Sequence, residues 1–237
     1  ASMSVMTEAE AKRLGMRMVE GQPQFFGPSG ENSSSGRYAV AERLSIGNTE
    51  MRNAAFLVLP DGLEVFEAIP LGQQGAVGLP VMMALETIRW NRGHELSTGF
   101  PAGRADVRTA NLSFEENDPL TTMEVDGRRL TLDIDTGCRR SDLWPKFAEE
   151  FPAIIRTARQ GTEHFVGATG GTTMDAAFLP ELRMKVAGFP IVFPDVPVLK
   201  AVTVPASKWH YGWLCMDILA KAAEVTLDFR AMRIQLK

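Results

Sequence analysis

The chain's 237 residues, 45% apolar and 23% charged, suit a globular protein of one large domain or two of about 100–150 residues. A formal net charge of −4, with Lys and Arg scattered rather than striped, argues against a nucleic-acid surface. The longest purely apolar run, Ala54 to Leu59, is too short to span a bilayer, and two cysteines and three histidines lack the close spacing of a metal site. No metal or other cofactor is therefore expected, and His94, His164 and His210 read as isolated surface or core residues.

Along the chain, the first segment reads as a loop followed by a short helix. Thr7-Glu8-Ala9-Glu10 has the form of a capping box, and Gly15 suits the left-handed position after a helix ending near Leu14. From Gln24 to Leu59 the pattern changes to short β-like runs. Pro28-Ser29-Gly30 and Ser33-Ser34-Ser35-Gly36 look like a polar loop tip between strands. Leu44-Ser45-Ile46 before Gly47-Asn48 predicts a hairpin, and Phe56 to Leu59 a buried strand. The polar stretch Gly93 to Gly99, then the small and charged residues from Phe100 to Thr109, mark a boundary: one domain over residues 1–100, a linker over 101–110 and a second domain over 111–237.

The second half opens with Leu120 to Val125, Asp126-Gly127, and Arg129 to Ile134. An Asp-Gly pair between alternating runs predicts a tight hairpin, whose turn needs positive φ. The second of those strands runs directly into Asp135-Thr136-Gly137. Pro145 fits the first turn of a helix through Phe151, which Pro152 should stop. Glycine-rich Gly167-Ala168-Thr169-Gly170-Gly171 follows. Two turn-linked strand pairs, Leu182–Val186 with Phe189–Phe193 and Val225–Phe229 with Ala231–Leu236, close the chain. Few helices and many hairpins predict a mainly β protein.

A tripeptide such as Asp135-Thr136-Gly137 has roughly a one-in-ten chance of occurring in a chain this long. Its surroundings are more specific. Leu130 to Ile134 lead into it; Trp213-Leu214-Cys215 follows downstream, then a short helix-like stretch and the run Val225 to Ile234. This order, over residues 111 to 237, resembles the bacterial retropepsin-like aspartyl proteases. The resemblance implies two retropepsin-like (acid protease) β-barrel lobes in tandem, each with a flap hairpin and short helices. It also implies that Trp213-Leu214-Cys215 lies beneath the Asp135-Thr136-Gly137 loop and supports it.

An internal repeat accounts for the first half. Gly75-Ala76-Val77-Gly78 resembles the supporting strand, and Leu79 to Met83 the helix after it. Gly78 and Cys215 differ by 137 positions, an offset that also pairs Leu14-Gly15 with Phe151-Pro152. Gly27 and Gly167 differ by 140, and Gly47 and Gly188 by 141. The same offset of 137 carries Cys138 onto Ala1, so a first Asp-Thr-Gly would stand immediately upstream of Ala1. Family members commonly continue such a tripeptide with Ala-Ser, as Ala1-Ser2 does. The expectation is a fragment or processed product of a longer chain; a degenerate, non-catalytic first lobe is the alternative.

Aspartic peptidases use two carboxylates that share a proton, because like charges so close cannot both ionise. The resemblance makes Asp135 one member of that dyad, in an endopeptidase that activates water for attack on a peptide bond. Its partner is expected from an upstream Asp or from Asp135 of a homodimer partner. Thr136 and Gly137 hold the loop tight. The stretch His164 to Met174 resembles the flap, with Phe165 and Val166 offering apolar contacts and Gly167, Gly170 and Gly171 allowing close approach to a peptide or protein substrate. Phe25 to Ser35 is its first-lobe counterpart. Asp133 reads as a polar strand residue on the same face as Asp135. Asp217 and Asp228 read as structural, Asp217 capping the short helix or pairing with Arg139 or Arg140.

Two residues depart from the family. Cys138 stands where Ala or Ser usually follows the tripeptide, and Cys215 where Gly usually ends the supporting strand. The family packing makes them neighbours, open to a disulfide or to a pair of buried thiols, and reduced thiols are the expectation. Added volume beside Asp135, and the missing first Asp, leave an alternative function: an inactive relative that binds peptides or serves as a scaffold.

Overall fold

The computed structural model describes all residues except 1, 22, 27–32, 68–72, 94, 102–105, 107, 168–169 and 203–207. The protein is mainly β, and its compact units are Ala1–Leu85 with His164–Thr173, and Glu86–Glu163 with Met174–Lys237. The sequence-derived loop tip at Pro28-Ser29-Gly30, Gly27 and His94 lie outside the described residues.

In the first unit, β1 (Ser4–Thr7) leads into α1 (Glu8–Arg13), where Thr7 Oγ1 accepts from the Glu10 amide at 3.3 Å, as a capping residue does. Gly15 at φ +63° ends the helical segment in the left-handed region. The stretch before α1 is therefore a strand, not the expected loop. Its four residues are too few to show an alternation, yet they sit between two neighbours. Next come β2 (Arg17–Val19), then β3 (Gln24–Phe26) paired with β4 (Ser33–Ser35), then the hairpin β5 (Arg37–Ile46) and β6 (Thr49–Leu59). After α2 (Glu64–Glu67), β7 (Gly75–Ala76) and α3 (Leu79–Ala84) complete the unit. The main sheet has the order β2-β5-β6-β1-β7, with β1 parallel to β6 and antiparallel to β7. Its core packs Met6, Ala11, Ala39, Phe56 and Val58.

The second unit begins with β8 (Thr87–Asn91) and β9 (Leu96–Thr98), then β10 (Ser113–Glu115), β11 (Asp118–Val125) and β12 (Arg128–Ile134). Asp126 and Gly127, at φ +48° and +76°, make the predicted two-residue turn between β11 and β12. After β13 (Asp142–Leu143), α4 (Pro145–Glu150) ends at Phe151. Pro152 does stop it, but also occupies the first turn of a further helix, α5 (Pro152–Ile155). The strands β14 (Arg159–Gly167) and β15 (Gly170–Val186) are followed by β16 (Phe189–Leu199) and β17 (Gly212–Leu214). A 3-10 helix (Met216–Ala220), β18 (Glu224–Asp228) and β19 (Arg233–Leu236) close the chain. One sheet runs β10-β11-β12-β17-β13-β16-β15-β14, with β15 also pairing back to β11; another runs β19-β18-β8-β9. Trp144, Phe147, Leu132, Leu179 and Leu214 form fully buried parts of this unit's core.

The 137-residue repeat is written into the strand register. Val5 opposes Ala76 and Met6 opposes Gly75; Asp142 opposes Trp213 and Leu143 opposes Gly212, each residue 137 positions on. The Thr7 amide donates to the Gln74 carbonyl at 2.8 Å, and the Trp144 amide to the Tyr211 carbonyl at 2.8 Å. The hairpin β5–β6 recurs as β15–β16, but there the offset is 140: Met6 lies parallel beside Val58 in one sheet, Leu143 beside Val198 in the other. The turns correct the glycine alignment. Gly47-Asn48 matches Ala187-Gly188, with φ +57° at Gly47 and +51° at Ala187, so Asn48 rather than Gly47 is the counterpart of Gly188.

Candidate active site

The strand β12 delivers Asp135 to the end of the sheet, and β17 runs parallel beneath it, with Asp133 opposite Trp213 and Ile134 opposite Leu214. The Asp135 amide donates to the Leu214 carbonyl at 3.0 Å, and the Met216 amide to the Cys138 carbonyl at 3.0 Å. The tripeptide loop is thus fastened to the supporting strand at both ends. Inside the loop, one Asp135 carboxylate oxygen accepts from the Gly137 amide at 2.8 Å. Thr136, Ile134, Leu214 and Met216 line an apolar hollow under the loop, and Trp213 packs edge-on against Trp144 with ring centres 5.2 Å apart.

Cys138 and Cys215 are joined in a disulfide, with Cα atoms 5.2 Å apart. This corrects the expected reduced pair. The reason is geometric: the two backbone hydrogen bonds flanking the cysteines bring their Cα atoms within bridging range.

Ser141 adds a second fastening that the sequence reading did not single out. Its hydroxyl accepts from the Cys215 amide at 2.9 Å and donates to Asp217 at 2.6 Å, while its amide donates to the other Asp217 oxygen at 3.0 Å. Asp217 is structural, as expected, but its hydrogen bonds here come from Ser141. Arg140 instead meets Glu163 at 3.2 Å and Asp195 at 3.0 Å. Burial pushes the Asp217 carboxyl above the ordinary range, opposed by the Ser141 hydrogen bonds. In the first unit the Ser4 hydroxyl accepts from the Gly78 amide at 3.0 Å, and Ser4 and Ser141 are 137 apart. That identity at the repeat offset was the available signal. Asp228, also structural, accepts from the Ala231 amide at 2.8 Å and shapes the turn after β18.

His210 is not isolated. It is buried, with Nδ1 2.5 Å from Asp133 and Nε2 2.8 Å from Glu115. Burial, followed by the charges of Asp118, Glu115 and Asp135, pushes Asp133 up to about 7, and burial lowers the imidazole. Asp142, fully buried on β13, is likewise driven well above the carboxylate range by burial. No sequence pattern marks His210, which lies 77 positions from Asp133 and outside any regular element.

Of the glycine-rich segment, Ala168 and Thr169 lie outside the described residues, and the rest belongs to the neighbouring strands β14 and β15. Phe165, Val166 and Gly167 end β14, and Gly170 and Gly171 begin β15, Gly170 at φ +102°. Phe165 and Val166 are half-buried. Close by, His164 Nδ1 meets the Thr173 hydroxyl at 3.1 Å, and the Glu64 carboxylate lies 3.8 Å from Nε2. A Cβ on Gly171 would come within 2.9 Å of the His164 ring and the Glu64 carboxylate, both exposed side-chain ends able to shift. These residues cluster with the first unit, whereas Asp135, Thr136, Gly137, Cys138, Trp213, Leu214 and Cys215 come together in the second.

Residues 1–80 match the family model described as aspartyl protease. No curated protein matches the chain. The matched segment holds β1, α1 and β7, the elements whose register recurs around Asp135. That segment, a third of the chain, is what is similar to the aspartyl proteases, the family that residues 111–237 also resemble.

Proposed function

We propose that this aspartyl-protease relative is an endopeptidase in which Asp135 is one carboxylate of a water-activating dyad. The observation that carries the reading is the fastening of the Asp135-Thr136-Gly137 loop to β17 at both ends, in a chain with a family match over residues 1–80. The Gly137 amide donates to one Asp135 oxygen and so orients the carboxylate, whose chemistry in the dyad is to accept from a water and share a proton. Water attacks the scissile carbonyl as the dyad takes its proton, and the shared proton passes to the leaving amine. Thr136, Gly137, Cys138, Trp213, Leu214 and Cys215 hold the loop. The strands β14 and β15, with Phe165, Val166, Gly167, Gly170 and Gly171, act as the flap and pair with an extended peptide backbone.

The second carboxylate comes from residues upstream of Ala1 or from Asp135 of a second copy. Cleavage of a mixed peptide pool by the full-length protein, with and without a pepstatin-like inhibitor, tests the reading. Inhibitable cleavage supports it; cleavage indifferent to the inhibitor counts against it. Dilution separates the two sources, since a self-sufficient chain keeps its specific activity and a dimer loses it. The Cys138–Cys215 bridge, which places extra volume beside Asp135, favours a second reading, a peptide binder without turnover. Saturable peptide binding without any cleavage is its signature.

A further inference from the structure

We propose that His210 is a positioning residue for Asp135: by bridging Glu115 and Asp133 it stores one proton on Asp133, so that two neighbouring acids do not ionise side by side. The inference rests on Asp135 being a reacting carboxylate.

Asp133, on β12, and Asp135, just past its end, lie two residues apart, about 6–7 Å of extended chain, and the Asp135 charge acts on Asp133. Asp133 is buried, whereas the Glu115 side chain is 41% exposed. His210 joins them, with one ring nitrogen on each carboxylate. A neutral imidazole donates from one nitrogen and accepts at the other. Two carboxylates on one imidazole therefore require a second proton, either on the ring or on an acid. The Trp209 indole N–H donates to both Glu115 oxygens, at 3.1 and 3.0 Å, so both serve as acceptors and the second proton is assigned to the Asp133–His210 contact. The remaining assignment has the Asp133 hydroxyl donating to Nδ1 and Nε2–H donating to Glu115. This acid–imidazole–carboxylate chain runs from the half-exposed Glu115 inward to β12.

Charged groups face the ring from four elements. Asp133 comes from β12, Glu115 from β10, Asp118 from β11 and Lys146 from α4, while the Trp144 ring stacks 6.3 Å away. Asp118, Glu115 and Asp135 all raise Asp133; burial, the largest influence on the ring, lowers His210, aided by Lys146 and opposed by Glu115 and Asp118. With the proton on Asp133, that residue adds no negative charge beside Asp135.

The test reads the proton and its effect separately. In the 15N-labelled full-length protein, the chain's three histidines give few imidazole signals, and His210→Gln assigns the one in question. Just below about pH 7 the expected ring is neutral and protonated at Nε2; a doubly protonated ring there overturns the inference. In peptide cleavage, His210→Gln is expected to lower kcat by about tenfold or more at unchanged KM and to shift the pH profile. Adding Asp133→Asn, a neutral isostere that needs no stored proton, is expected to restore kcat to within about threefold of wild type. A double variant no faster than His210→Gln overturns the positioning role. A wild-type chain inert toward every peptide removes that role together with the protease reading, while the imidazole spectrum alone still accepts or rejects the stored proton.

Discussion

Asp133 gives the sharpest pH-dependent consequence of the buried chemistry. Its folded carboxyl titrates at about 7, above the unfolded value near 4. The stability this brings is full below about pH 4 and is lost as pH rises toward 7. His210 works in the opposite sense: its lowered basicity gives stability present above about pH 6.5 and lost as pH falls. The difference in unfolding free energy between wild type and Asp133→Asn cancels most of the His210 contribution. By chemical denaturation, that difference should move against the wild type by on the order of 3 kcal/mol between about pH 4 and 8. A flat difference contradicts the buried, proton-holding Asp133. From the sequence, the face and strand of Asp133 were legible by alternation. Its partner was not, because periodicity says nothing about a histidine brought in from a distant irregular segment.

The short supporting elements owe their positions to contacts that tolerate no added atom. A Cβ on Gly78 would fall 2.0 Å from the Met3 carbonyl carbon, and one on Gly212 would fall 2.0 Å from the Asp142 carbonyl oxygen. Gly212 also has φ +153°, whereas Gly127, at φ +76°, has open space where its Cβ would be. Gly127→Ala should therefore cost only about 1 kcal/mol of backbone strain. Gly212→Ala should cost more than about 3 kcal/mol or prevent folding, as read by denaturant midpoints. Equal costs would remove the close approach of β13 and β17. Ser141→Ala, which strips the Cys215 amide and Asp217 of their shared partner, should lose about 1–3 kcal/mol. The α1 cap, the Asp126-Gly127 hairpin and the strand before Asp135 were legible because each is encoded in a few adjacent residues. The strand β1 was not, because Ser4 to Thr7 becomes a strand only through β6 and β7, distant in the chain.

The repeat organises the chain as a whole. Within the second unit, β8 pairs antiparallel with β18 so that Arg89 opposes Thr226, its own counterpart at offset 137. Hydrogen bonds from the Arg92 amide to the Ala223 carbonyl and from the Phe229 amide to the Glu86 carbonyl flank that pair, again 137 apart. This is a local two-fold axis, and it explains why β8 and β9 group with the second half although they precede the sequence-derived boundary. The offset itself was legible from Gly78 and Cys215; the pairing it produces was not, since strand partners are chosen by the folded sheet. The Cys138–Cys215 bridge spans 77 residues, and opening it with a dithiol should lower stability by about 2–4 kcal/mol. Unchanged stability after reduction, with two thiols titrated per chain, would contradict a bridge that constrains the fold. The proposed chemistry turns on Asp135. The most direct measurement is kcat/KM for one cleaved peptide, compared between the full-length protein and its Asp135→Asn variant at mildly acidic pH. A loss of about a thousandfold or more with the fold intact is the predicted result, and equal cleavage by the two would remove Asp135 from the mechanism.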